Sequence, residues 1–246
     1  NSDQVQLVSV WLSAEKVQFS QVQIASKTNE IKAIPELLDT IDCEGSTITI
    51  DAIASQRSIT EKIIEKKADY LIGLKSNQGS LFEQVSDWLR SRKTTLPSFI
   101  EIDKDHGRGE IRSTYVCEDL HFLEETYEWS GLRSIVMTEC RRIVDGKETT
   151  SERFYISSLS GTKPEQYAKL VRDHWSIENN LHWHLDVTFR EDQSTVWKKN
   201  GPANLSIVRK FALFLLSKEE SKISLKRKRK KAARSNVFLK KIIKNA

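Results

Sequence analysis

Cysteine is scarce in this chain, and the three present (Cys43, Cys117, Cys140) are odd in number and far apart. That pattern fits reduced thiols in a cytosolic protein better than a disulfide framework. No Cys-x-x-Cys occurs, which argues against a zinc ribbon. Four prolines and nine glycines are too few for collagen-like or low-complexity sequence. No apolar run approaches the ~18 residues that a membrane span requires. No charged segment followed by an apolar one opens the chain, as a secretory leader would. The first residue is Asn rather than Met, as expected of a processed end or of a truncated reading frame.

The composition is that of a globular protein. Of the 246 residues 38% are hydrophobic and 30% charged, enough apolar material for a sizeable core and too much for a disordered chain. At roughly 150 residues per domain the length falls between one domain and two. The net charge of +5 is unevenly distributed. Residues 222–246 hold eleven of the 39 Lys and Arg and no Asp or Glu, leaving 28 basic residues against 34 acidic ones elsewhere. The basic character is centred on Lys226, Arg227, Lys228, Arg229, Lys230 and Lys231. Such a run attracts polyanions by counterion release, nucleic acid being the usual one; a solvated terminus without a specific partner is the alternative.

Hydrophobic periodicity divides the chain into elements. Residues 4–11 and 16–24 alternate polar and apolar side chains, and Ser13-Ala14-Glu15 can turn between them, which predicts an antiparallel hairpin. Ile31, Ile34, Leu37, Leu38 and Ile41 recur at helical spacing after Asn29, a fair N-cap. Residues 47–54 form a β-branched strand, 56–68 a helix, 69–75 a second strand and 81–92 a further helix. Strands alternating with helices predict a mixed or parallel sheet. From about residue 98 to 159 the chain is β-rich, with strands over 99–102, 111–116, 134–144 and 149–157 and a hairpin turn at Asp145-Gly146. Helices are expected over 164–185 and 203–216. There is no internal repeat.

Asp51 closes the apolar run 47–50. In open α/β sheets ligands gather beyond the carboxyl ends of strands, and a carboxylate on that rim suits a metal ligand, although capping and turn Asp residues are also common there. The densest polar stretch is His174-Trp-Ser-Ile-Glu178-Asn-Asn-Leu-His182-Trp-His184-Leu-Asp186. On a helix His174, Glu178, His182 and Asp186 form a slowly winding stripe beside Ile177, Leu181 and Leu185. Three readings stay open on spacing alone. One is a zinc site from His174, Glu178 and His182, without the HExxH pattern. Another is a polar face with capping and salt-bridge roles. The third is a carboxylate pair, Glu178 with Asp51, for a hard cation such as Mg²⁺. Lys75-Ser-Asn-Gln-Gly79 follows a strand and suits either a phosphate-facing loop or an ordinary one. Asp105-His-Gly-Arg108 reads as a surface turn, and Trp175, Trp183 and Trp197 as packing residues.

The stretches LVSVW, EIKAIPELL, TIDAIASQ, IIEKKADYLIGLKSNQGSL, DHGRGEIRS, RFYISSL and HWSIENNLHWHLDVTFREDQS occur in this order from Leu7 to about Ser194, with a weaker match to Leu216. In them the chain resembles the H-repeat-associated (ISAs-type) bacterial insertion-sequence transposases of the DDE superfamily. The resemblance implies an RNase H-like α/β fold, a mixed sheet flanked by helices, with a β-rich insertion before the helix that bears the last catalytic residue. It implies a core at residues 1–97 and 161–220, an insertion at 98–160 and a basic tail at 221–246. It implies metal-dependent DNA strand cleavage and transfer at two divalent ions, Mg²⁺ or Mn²⁺, with Asp51 the second Asp and Glu178 the Glu, both catalytic and metal-ligating. The family's first Asp lies in an Asp-Gly-Lys motif upstream of LVSVW. No such motif precedes Gln4, and Asp3 lacks the Gly-Lys that would follow it. The expectation is therefore a missing first strand and a chain inactive by itself, with DNA binding alone as the alternative function. Lys75, Gln78, His174 and His182 are implied DNA or site contacts, beside the Lys226–Lys231 run. Double-stranded DNA and a homodimer on it are the implied partners, without a membrane, in the bacterial cytoplasm at the nucleoid.

Overall fold

Thr47, Ile48, Thr49 and Ile50 are β-branched and fit an extended, half-buried backbone. They form β3 (Thr47–Ile50) in the computed structural model, which describes residues 6–24, 30–105, 108–124, 126–196 and 200–244. β3 pairs in parallel with β4 (Asp69–Leu74), from Thr47 opposite Asp69 to Ile50 opposite Ile72. Parallel neighbours require a crossover, and α2 (Arg57–Glu65) provides it with Ile59 and Ile63 fully buried. The strand expected over 47–54 ends at Ile50. Ala52–Ala54 instead turn as a single 3₁₀ helix, because small residues there let the chain fold back over β4.

The sheet has six strands in the order β3-β4-β8-β7-β6-β5, where β5 is Ser98–Asp105, β6 Arg108–Cys117, β7 Ser134–Val144 and β8 Lys147–Ser157. Only the β3–β4 pair is parallel. The β-rich block is thus hydrogen-bonded edge-on to β4, with Leu71 opposite Ser157. Asp145 and Gly146 both adopt positive φ (50° and 75°), the left-handed pair that the tight turn between β7 and β8 requires.

Side chains alternate across this sheet and build two cores. One face carries Tyr70, Ile72, Tyr115, Ile135, Met137, Phe154 and Ile156, packed with residues of α1 (Glu30–Asp39), α2 and α3 (Ser80–Arg92). The other carries Leu71, Val116, Val136 and Tyr155 against Tyr167, Leu170 and Val171 of α4 (Pro164–Ile177). The sheet is therefore mixed and flanked by helices. These elements make up one compact unit, Glu30–His174.

The second unit comprises Asn1–Asn29 and Trp175–Ala246. The expected hairpin is present as β1 (Gln6–Leu12) and β2 (Val17–Ile24), with a bulge between Val10 and Trp11. Beyond Ile177 the expected helix continues to Thr188 as two π-helical segments, Glu178–His182 and His184–Thr188. Asn180 contributes to this change: its side-chain amide donates to the Ser176 carbonyl at 2.9 Å, competing with the backbone for the α-helical acceptor. α5 (Gly201–Lys218) follows. Residues 221–246, read from charge as a tail, contain the helices α6 (Leu225–Arg234) and α7 (Asn236–Lys244). Leu181, Leu185 and Leu213 form one apolar cluster of this unit, and Leu216, Phe238 and Ile242 another. No described helix is long and apolar enough to cross a membrane. Asp3, Gln4, Asn29, His106, Gly107 and Trp197 lie outside the described residues.

Candidate functional site

Because β3 and β4 are parallel, their carboxyl ends share a rim: Asp51 follows one and Lys75 the other. Asp51 is extended (φ −71°, ψ 156°) and its carbonyl accepts from the Ala54 amide at 3.1 Å. Its carboxylate is 46% exposed and 3.5 Å from the Lys75 ammonium, a weak contact that leaves the oxygens open.

The turn after Asp51 is held from beneath and from the side. A Cβ on Gly73 would sit 3.1 Å from the Ala52 backbone nitrogen, so glycine lets the turn lie this close to β4 without the Ala52 backbone having to shift by a few tenths of an ångström. Gln78 donates from Nε2 to the Ala52 carbonyl at 3.0 Å and accepts the Lys75 amide at 2.8 Å. Asn77 donates to the same carbonyl at 3.3 Å. Gln78, expected as a DNA contact, thus has its amide directed inward at the backbone beside Asp51. Sequence reasoning missed Gly73 and Asn77; an isolated Gly in a strand pattern is the signal of close backbone approach.

His174 Nδ1 lies 3.0 Å from the Thr49 hydroxyl, two residues before Asp51 on β3. In the other unit, Glu178 opens the first π segment with its side chain 58% exposed, and His182 Nδ1 is 3.2 Å from Glu178 Oε1. Leu181 and Leu185 point into the core. Burial holds the His184 imidazole below its usual range, and its Nδ1 is 3.3 Å from the Thr188 hydroxyl. Burial, with Asp192 and Glu191 nearby, raises the Asp186 carboxyl, which His182 partly offsets. The stripe expected of an unbroken helix is therefore divided among different environments.

Asp51 and Glu178 offer exposed carboxylate oxygens, the donor chemistry that suits a hard divalent cation. Among the described residues no group of three or more His, Cys, Asp and Glu could hold a metal. The zinc arrangement of His174, Glu178 and His182 is not assembled. Cys43, Cys117 and Cys140 are free thiols, as expected.

The basic run falls on α6 and is not uniform. Lys226, Arg227, Lys230 and Lys231 are exposed. Arg229 is half-buried, its guanidinium 5.4 Å from the centre of the Phe189 ring. Lys228 is buried, and its ammonium donates to the Glu219 and Leu216 carbonyls and pairs with the Glu219 carboxylate at 3.4 Å. Glu219, which no local pattern singled out, also pairs with Lys241 at 3.0 Å and accepts from the Ser221 amide and hydroxyl.

The family profile for the transposase DDE domain matches residues 10–215. Among curated relatives, the chain is 35% identical over 244 residues to "Putative protein YbfL" of Escherichia coli K12, with 96% of this chain and 64% of the relative covered. It is 34% identical to "H repeat-associated putative transposase YhhI" of the same strain, with the same coverage. To "Putative transposase YncI" of Escherichia coli O157:H7 it is 37% identical over 247 residues, covering 97% of this chain and 63% of the relative. The chain thus spans a little under two thirds of the length of these relatives. With the profile covering most of its residues, the chain belongs to the transposase DDE domain family.

Proposed function

We propose that this chain is part of the catalytic domain of an insertion-sequence transposase that cleaves and joins DNA strands with divalent metal. The single observation that carries the reading is Asp51, placed at the carboxyl end of a parallel strand within a family-matched segment, its carboxylate exposed and its backbone held by Asn77, Gln78 and Gly73. Asp51 and Glu178 are read as the second Asp and the Glu of an RNase H-like site and would hold Mg²⁺ or Mn²⁺. When bound, such ions neutralise the charge that builds on attacking and leaving oxygens in phosphoryl transfer. The chain's own residues serve this by positioning: Asn77 and Gln78 fix the Asp51 turn, and His182 holds one Glu178 oxygen. In this reading residues 1–97 and 161–220 form the core, 98–160 the insertion and 221–246 a basic terminal part. Double-stranded DNA and a second copy of the protein are its partners, in the bacterial cytoplasm.

No residue of this chain is assigned to the first Asp, so strand transfer by this chain alone is expected to be absent. The test reads the ligands directly. Fe²⁺ substituted for Mg²⁺, with peroxide and ascorbate, cuts the polypeptide next to bound metal. Cuts are expected near residues 51 and 178, weakened by Asp51→Asn and by Glu178→Gln. Cuts elsewhere, or cuts indifferent to both changes, would overturn the assignment. A second reading, DNA binding without cleavage, is favoured by the exposed cations Lys226, Arg227, Lys230 and Lys231. It predicts duplex affinity that survives both carboxylate changes and a lack of localised metal cuts.

A further inference from the structure

α6 is a folded helix with a cationic face, although sequence alone allows a disordered sticky end. Ser224 caps it, its hydroxyl accepting from the Arg227 amide. Leu225 and Ala232 pack into the clusters built on Leu213 and Leu216. The buried Glu219 carboxylate binds Lys228 of α6 and Lys241 of α7, fixing both helices to the end of α5. With 100° per residue, Lys226, Lys230, Arg234, Arg227 and Lys231 then share an arc about 140° wide, opposite the buried Lys228 and the partly buried Ala232.

This face goes against helix energetics in two ways. Its five cations make like-charge neighbours at i,i+3 and i,i+4, which repel. Lys226 and Arg227 also sit in the first turn, where the helix dipole disfavours positive charge and no acidic residue offsets it. Among the described residues no carboxylate pairs with Lys226, Arg227, Lys230 or Arg234. A local rule broken on an otherwise well-anchored element marks a surface shaped for a ligand rather than for stability. The ligand must be a polyanion that can meet several cations at once.

We propose that this α6 face is a docking surface for the phosphate backbone of double-stranded DNA, and that Lys228, in the middle of the run, is structural instead. From Lys226 to Arg234 the helix rises about 12 Å, a length over which a duplex carries about seven phosphate charges. The exposed positions of α6 are cationic apart from Ala233, so the face offers nothing apolar to insert into lipid. The proposal rests on DNA being the partner and adds which residues meet it.

The test is duplex affinity of the full chain over a salt series. Each phosphate contact contributes about 0.9 to the slope of log affinity against log salt. The triple variant Lys226→Gln, Lys230→Gln, Arg234→Gln should lower that slope by about 2.7, so that over a fourfold rise in salt the unsubstituted chain loses about forty-fold more affinity than the variant. A charge-matched triple at exposed lysines of the other unit, Lys32→Gln, Lys147→Gln and Lys163→Gln, should leave it unchanged. Relief of repulsion gives an independent readout: the α6 triple should melt at a higher temperature at low salt, with the gain fading at high salt. If the chain binds duplex and the two triples behave alike, the α6 assignment fails while the DNA reading stands. If the unsubstituted chain binds no duplex, both fall. Binding to phosphatidylserine vesicles through the same three residues, without duplex binding, would assign the face to a membrane and overturn the proposal.

Discussion

Replacing Gln78 by alanine separates two roles for this side chain, and the structure sets the size of the effect. The change removes two neutral hydrogen bonds, to the Lys75 amide at 2.8 Å and to the Ala52 carbonyl at 3.0 Å. Each is worth about 0.5–1.5 kcal/mol net. Gln78 is half-buried, so water recovers part of the loss, and a local destabilisation of about 1–2 kcal/mol is expected. Asn77→Ala alone should cost about 0.5 kcal/mol, because it removes only one long, part-buried 3.3 Å bond. The double variant should exceed the sum, because Ala52 is buried and its carbonyl would keep only the Ser55 amide at 3.3 Å. The assay is native-state hydrogen exchange at the Lys75 and Ala54 amides, which reads local opening without assuming that the two units unfold together. Exchange at Lys75 should accelerate about 5–30-fold in Gln78→Ala. If exchange at both amides is unchanged while duplex affinity drops, Gln78 is a DNA contact and the positioning argument is refuted.

Two further outcomes follow from buried polar groups. Tyr167→Phe should lower stability by about 1–2 kcal/mol in urea unfolding, because the fully buried hydroxyl meets Ser134 Oγ at 2.7 Å and the Leu159 carbonyl at 3.1 Å; an unchanged midpoint would sink this. The Ser221 hydroxyl, with Lys241, Lys228 and the Ser221 amide, holds the Glu219 carboxyl down at about 2. A depressed carboxylate stabilises the fold above its ordinary value of about 4.3, and that contribution is lost as pH falls through the folded value of about 2. The helical signal of the unsubstituted chain should therefore approach that of Glu219→Gln across this window, and parallel pH profiles would contradict the assignment.

The fold was legible where local pattern and burial agree. Alternation at 4–11 and 16–24 gave the hairpin, found at 6–12 and 17–24, and Asp145-Gly146 gave a turn whose positive φ values need that pair. The pairing of β8 with β4 was not legible, because it joins Leu71 to Ser157 across more than eighty intervening residues and no short-range period encodes it. The π segments were hidden for a different reason. Residues 174–186 keep an α-helical polar spacing, and the competition of Asn180 for the Ser176 carbonyl, which contributes to the change, leaves no periodic signal in the sequence.

At the candidate site the same division falls within single motifs. Asp51 was legible as the residue that ends a β-branched run. Gln78 was legible as a special residue; its bond to the Ala52 carbonyl was not, since that depends on β3 and β4 lying parallel so that the 76–78 turn comes beside Ala52. The basic run shows how far period alone reaches. Leu225 and Ala232 lie seven residues apart, which puts residues 228 and 229 on the apolar side of any helix drawn through them. That spacing separates Lys228 and Arg229 from Lys226, Arg227, Lys230 and Lys231 before any coordinate is known. What period cannot provide is Glu219, nine residues earlier and beyond a turn, whose buried charge explains how a lysine is tolerated inside. A run of like charge is therefore better read position by position than as one site, and here the salt dependence of duplex binding is the quantity that distinguishes the two readings.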